Sequence, residues 1–223
     1  MKKILILMLL LPVICKAEEI NLAKEAKSVI MLEASTGDVI YERNADIKLP
    51  PASMTKIMTM LLTIEAIEND ILKWDEMVTV SENASSMGGS QILLETNEQM
   101  KVEDLFKGVA VASGNDAAVA LAEKIAGSEE VFVTMMNKRA KELGLTNTNF
   151  KNPHGLDTAN HYSTAKDMSI IARELIKHEK VLEFTSIYDT YLRENLSTKI
   201  WLVNTNKFVY LKQFYCFFLS FLV

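Results

Sequence analysis

The stretch "LPPASMTKIMTML", Leu49 to Leu61, decides how the rest of the chain is read. Pro50 and Pro51 force extended backbone before the next element. Apolar Ile57, Leu61, Ile64 and Ile67 then recur at helical spacing, which predicts a helix from Ser53 to about Asn69. Lys56 follows Ser53 by three positions, and such residues share a helix face with Cβ atoms about 5–6 Å apart. The amine can therefore fold back onto the hydroxyl. Backbone N–H groups left free at a helix start can also stabilise an oxyanion forming beside that serine. To accept a proton the lysine must be neutral, which requires desolvation or nearby positive charge. Met54, Ile57 and Met60 supply apolar neighbours for that purpose. The plainer alternative is that Ser53 only caps the helix, as serine commonly does, with Lys56 in solvent.

The S-x-x-K pattern alone does not choose, because the chain holds it twice, at Ser53–Lys56 and at Ser163–Lys166. S-x-N also occurs twice, at Ser81–Asn83 and Ser113–Asn115. "HYSTAKDM" reads as a capping box, with Ser163 or Thr164 at the N-cap and Asp167 in the first turn. Ser81 and Asn83 lie in an exposed-looking polar loop without apolar flanks. "VAVASGNDAAVALAE" differs: Ser113-Gly114-Asn115 interrupts two strongly apolar helical segments, where unpaired polar groups are costly. A hydroxyl and a carboxamide on such a helix–helix turn can relay a proton and hold a substrate amide. The alternative there is a polar corner that caps the helix beginning near Asp116.

The ends of the chain bound its setting. Lys2 and Lys3 precede an apolar run from Ile4 to Cys15, and Cys15-Lys16-Ala17 offers small residues where a signal peptidase cuts. Residues 1–17 are therefore expected to be a secretory signal peptide, too short for a comfortable membrane span. A lipid anchor on Cys15 is disfavoured by bulky Ile14. The formal net charge is −5, and removing the leader takes away three lysines and no acids. With no basic cluster, this argues against a nucleic-acid partner. Cleavage leaves only Cys216, so no internal disulfide is expected. His154, His161 and His178 are too scattered for a metal site. The first two are expected to serve a loop, and His178 to lie near a helix C-terminus.

Along the chain, Val29–Leu32 and Val39–Glu42 read as a hairpin turning around Ser35-Thr36-Gly37-Asp38. Helical patterns cover 102–112, 116–126 closed by Gly127, 129–143 stopped by Gly144, and 165–177. Residues 181–210 read as one more short helix with extended segments. Helices dominate the middle, so the N-terminal hairpin must pair with strands that arrive late, giving an α/β arrangement.

Four ordered blocks, "PASMTK", "SGNDAA", "NPHGLD" and "STAKDMSIIAREL", resemble the serine D-alanyl-D-alanine carboxypeptidases, the low-molecular-weight penicillin-binding proteins. The resemblance runs from about Ser28 to Lys207. It implies the β-lactamase/penicillin-binding-protein transpeptidase-like α/β fold, here a helical lobe plus an incomplete antiparallel sheet. It also implies that Ser53 is the acylated nucleophile, Lys56 its general base and Ser113 the proton relay to the leaving group. Asn115 would orient Lys56 and the substrate amide. The implied substrate is a peptidoglycan stem peptide ending in D-Ala-D-Ala, with β-lactams acylating the same serine and no cofactor or metal. A related β-lactamase is the first rival, disfavoured by "NPHGLD" and "STAKDM". A non-catalytic, wall-binding remnant is the second.

The family's third motif, K-T-G, should follow "NTNKFVYL" closely, yet no K-T-G occurs in the 223 residues. Five of the nine phenylalanines fall at or after Phe208, so residues 208–223 read as an aberrant apolar tail beyond a catalytic domain of 18–207. The tail is too short to span a membrane. An oxyanion donor on the missing strand would be worth about 2.7–4 kcal/mol in the transition state. The chain as written is therefore expected to be inactive and poorly stable, with its N-terminal hairpin left without a strand partner.

Overall fold

A computed structural model of the chain describes residues 22–207, Val209 and Ser220–Phe221. The expected leader and Cys216 lie outside these residues, as does most of the apolar tail.

The apolar run Val29–Leu32 that follows Ser28 forms strand β1 (Ser28–Leu32), which turns into β2 (Val39–Arg43). The pairing is antiparallel, Val29 opposite Arg43 and Met31 opposite Tyr41. Arg173 fastens the turn by donating from Nε to the Ala34 carbonyl and from Nη2 to that of Ser35. On the other side of β1, Ser28 and Val29 pair with Phe221 and Ser220 of β7 (Ser220–Phe221), so the sheet order is β2-β1-β7. This corrects the expectation of a hairpin without a partner: the far end of the apolar tail supplies two residues of strand.

The segment read as a helix from Ser53 begins differently. Ala52–Thr55 form a 3₁₀ turn and the α-helix, α1, runs Lys56–Glu68. Pro51 precedes the turn and no side chain caps it, so Ser53 is not a helix cap. α1 is buried on nearly every side, the signature of a helix inside a core. Met58, Leu61 and Ile64 are at most 2% exposed. Thr55 at the end of the 3₁₀ turn and Lys56, Thr59 and Thr63 of α1, also buried, form a polar stripe along the same side.

Around α1 stand α3 (Val102–Ala112), α4 (Asn115–Ala126), α5 (Glu129–Glu142) and α6 (Ala165–Leu175). They follow β3 (Met77–Thr79), α2 (Glu82–Ser85) and β4 (Gln99–Lys101) in the chain, with β3 and β4 paired antiparallel. The predicted stops hold. Gly127 ends α4 at φ +82°, a left-handed value that glycine adopts without strain. Thr164 is the N-cap of α6, its hydroxyl accepting from the Asp167 N–H at 3.0 Å. The chain continues through α7 (Glu179–Thr185) to a hairpin of β5 (Asp189–Leu192) and β6 (Ile200–Val203). Trp74, Phe106 and Phe184 stack with ring centroids 5.1–5.3 Å apart and tie α3 to α7. Asn204 and Thr205 bond the Tyr188 and Val111 carbonyls, which seats this hairpin against the end of α3.

Candidate active site

The polar stripe of α1 is matched by the irregular segment that follows α5. Lys56 Nζ donates to the His154 carbonyl at 2.7 Å, and the Thr59 hydroxyl to that of Pro153 at 2.6 Å. His161 Nδ1 accepts from the Lys151 N–H at 2.9 Å, which leaves Nε2–H to bond the Thr55 hydroxyl at 2.8 Å. Thr55 at the end of the 3₁₀ turn and two side chains of α1 are thus held by one loop. The loop keeps its own shape through Asn152, which donates to the Leu156 carbonyl and the Thr158 hydroxyl and accepts from the Gly155 N–H. Gly155 has φ +91°, and a Cβ there would stand 1.8 Å from the Ala52 carbonyl oxygen. Only glycine lets the loop touch the turn that carries Ser53. As the sequence suggested, both histidines serve the loop, and their contacts reach the helix itself.

Ser53 and Lys56 meet as expected, with Nζ 3.3 Å from Oγ. Lys56 is 2% exposed. Burial pushes its pKa down from the usual lysine range to about 7, against an opposing pull from the carboxylate of Asp116. An amine in that range is neutral in a large fraction of molecules near neutral pH, the state that accepts a proton. The arrangement can run serine acylation with lysine as base.

Ser113 closes α3 in the left-handed conformation, at φ +58°, ψ +34°. A non-glycine residue held there stores strain of order 1–3 kcal/mol. The side-chain amide of Asn115 donates to the Gly88 carbonyl at 2.6 Å, and its backbone N–H to Ser90 at 2.7 Å. The amide nitrogen and backbone N–H of Asn115 thus bond the 88–90 loop, which passes directly over it. Asp116, read from the sequence only as the start of a helix, is 1% exposed and accepts from the N–H groups of Ile92, Leu94 and Ala117. It holds that loop and is the charge felt by Lys56. A buried carboxylate next to S-G-N was the available signal.

The second S-x-x-K is structural. Ser163 pairs with Leu49 through the backbone and with the Thr148 hydroxyl through its side chain, while Lys166 is exposed, 3.7 Å from Asp46. Ser81 caps α2, and both it and Asn83 bind Glu123. His178 follows α6 and bonds Glu68 at 2.7 Å. Among the described residues no cluster of His, Cys, Asp or Glu is arranged to hold a metal ion, and no helix is long and apolar enough to cross a membrane.

A family model described as D-alanyl-D-alanine carboxypeptidase matches residues 15–217. The chain belongs to this family. It is 57% identical over 189 residues to the D-alanyl-D-alanine carboxypeptidase DacF of Bacillus subtilis, covering 85% of this chain and 49% of that protein. To the D-alanyl-D-alanine carboxypeptidase DacC of Escherichia coli it is 41% identical over 195 residues, covering 82% and 48%. The chain thus spans about half the length of these curated relatives. Among solved structures, penicillin-binding protein 5 of Haemophilus influenzae superposes with TM-score 0.79 at 36% identity, covering 84% of this chain and 54% of that one. A Listeria monocytogenes penicillin-binding protein in its cefotaxime-bound form gives TM-score 0.74 at 31% identity, covering 86% and 76%. The fold of the chain is that of the penicillin-binding proteins, as the four blocks implied.

Proposed function

We propose that the protein acts outside the cytoplasmic membrane as a serine carboxypeptidase that removes the terminal D-alanine from peptidoglycan stem peptides. The observation that carries this is the buried amine of Lys56, poised near neutrality and 3.3 Å from Ser53 Oγ. Ser53 Oγ attacks the carbonyl carbon of the penultimate D-alanine while its proton passes to Lys56 Nζ. Backbone N–H groups at the start of the 3₁₀ turn face the developing oxyanion. Collapse breaks the amide C–N bond, and the terminal D-alanine departs with a proton delivered through Ser113. Water, deprotonated by Lys56, then hydrolyses the acyl-serine. A β-lactam acylates Ser53 by the same first step. Asn115, with its amide anchored on Gly88, borders the path of the substrate amide. The third family motif is not among the 223 residues; against the expectation of inactivity that this raised, the proposal is that the Ser53–Lys56 pair still acylates, more slowly than it would with the missing oxyanion donor.

Labelling with a fluorescent penicillin tests the reading. Covalent label that appears in the wild-type protein and vanishes in Ser53→Ala is the expected result. Label retained in Ser53→Ala, or absent from a folded wild type, would sink it. Sustained antibiotic turnover instead of a trapped adduct would point to a β-lactamase.

A further inference from the structure

The loop over Asn115 is gripped from two sides, and only one grip belongs to the family's S-G-N motif. From below, Asn115 and Asp116 bond Gly88, Ser90, Ile92 and Leu94. From the other side comes Arg193, far along the chain at the end of β5. Its side chain is 5% exposed. It donates from Nη1 to the Ile92 carbonyl at 3.0 Å and from Nη2 to the Leu93 carbonyl at 3.1 Å. Nε and Nη2 also form a forked pair with Glu98, at 2.5 and 2.9 Å. Arg193 itself sits at φ +54°, so the backbone accepts an unfavourable conformation to deliver this side chain. A planar fork with five donors is what lets one side chain satisfy a carboxylate and two carbonyls together; a lysine ammonium does not reproduce it.

Successive peptide groups are thereby locked in alternation. Asp116 takes the N–H of Ile92 and of Leu94, while Arg193 takes the C=O of Ile92 and of Leu93. Leu93 between them is 61% exposed at φ +57°, so its own apolar burial does not hold the loop. Ile92 and Leu94 on either side are buried in the core, and the polar anchors act with them to set the position of the Gly88 carbonyl and the Asn115 amide. The clearance is tight: a Cβ on Gly89 would lie 2.7 Å from Asn115 Nδ2.

We propose that Arg193 is a positioning residue for the acylation site, clamping residues 88–94 so that Asn115 is held in register with Ser53 and Lys56. This rests on the acyl-serine reading above. It assigns to the β5–β6 hairpin a part in the reaction that none of the sequence blocks carries.

The test compares Arg193→Ala, Arg193→Lys and Glu98→Gln with wild type, at a temperature where circular dichroism shows all four folded. Fluorescent-penicillin acylation is expected to slow most in Arg193→Ala, by up to about a hundredfold as for other displaced active-site groups. Arg193→Lys falls between, and Glu98→Gln, which keeps the donations to Ile92 and Leu93, slows least. Amide hydrogen exchange is expected to rise at residues 88–94 and to stay unchanged in α1. Equal acylation rates in all four proteins overturn the proposal, as does exchange that rises uniformly through the fold. If wild type takes no label, the acyl-serine reading falls, and the exchange pattern alone then decides whether Arg193 holds the loop.

Discussion

His161 Nε2 lies 2.8 Å from the hydroxyl of Thr55, joining residues 106 positions apart across the turn that carries Ser53. Burial, then repulsion from His154, holds the His161 pKa down at about 4, against a smaller opposing effect of Asp157. The unfolded chain therefore binds a proton at this site between about 4 and the usual 6.5 while the folded one does not. The stabilisation is complete above 6.5 and lost as pH falls through that window, by about 3 kcal/mol in all. Urea unfolding midpoints measured from pH 7.5 to 4 are expected to fall. His161→Gln should flatten that part of the curve, and an unchanged slope in this variant would count against His161 as its source.

Lys56 gives a different pH dependence, in rate. With its pKa at about 7, the acylation rate is expected to climb through an ascending limb centred near that value and level above it. A midpoint near 10, the range of a free lysine, would contradict the burial argument. The same depressed pKa means that the unfolded state holds the proton more firmly between about 7 and 10.5. Stability from this site consequently rises with pH across that range.

Asp116→Asn should act on both quantities. Loss of the carboxylate removes the charge that raises the Lys56 pKa, so the ascending limb moves below 7. The carboxamide would also turn a donor toward the N–H groups of Ile92 or Leu94, at a cost of about 3 kcal/mol for charged bonds lost in a buried site. Thermal melts and the pH profile of penicillin acylation read the two effects separately.

Gly155→Ala is expected to be among the most damaging single substitutions. The new methyl would overlap the Ala52 carbonyl, and the backbone angle itself disfavours alanine. A loss of about 3 kcal/mol or more, with a matching fall in acylation, would show that the loop and the 3₁₀ turn fold as one piece. A fully stable variant would refute that coupling.

The duplicated S-x-x-K offers an internal control. Lys166→Ala removes an exposed side chain and should change stability by less than about 0.5 kcal/mol, with acylation intact. Lys56→Ala should abolish acylation. Parallel melts and penicillin labelling distinguish the two lysines.

What the sequence disclosed follows from the range of the forces involved. Helix cores, glycine stops at Gly127 and Gly144, and the Thr164 cap depend on neighbours within a few residues, so periodicity and capping chemistry reveal them. Ser53 and Lys56 belong to that class, being one turn apart. The start of α1 was misplaced because the two prolines and Ala52, at φ +47°, wind a 3₁₀ turn that helical spacing cannot distinguish from an α-helix. The partners of Asn115, Asp116, Thr55 and Arg193 lie tens of residues away in the chain. Their chemistry was visible only as polar residues without an assigned task. β7 was hidden for the same reason, since two residues of an apolar tail carry no pattern until β1 selects them.

The contact between Lys56 and residue 154 is made by main-chain oxygen, and this has an evolutionary corollary. Any amino acid at 154 can offer the same carbonyl to the amine, so substitution there is filtered by what the imidazole does with Glu129, 3.6 Å away, and hardly by the base. Its neighbour at 155 has no such latitude. Among homologues, the letter after 154 should stay fixed by backbone geometry, whereas constancy at 154 itself would come from the imidazole's contacts with Glu129 and the Leu156 N–H and not from the oxygen.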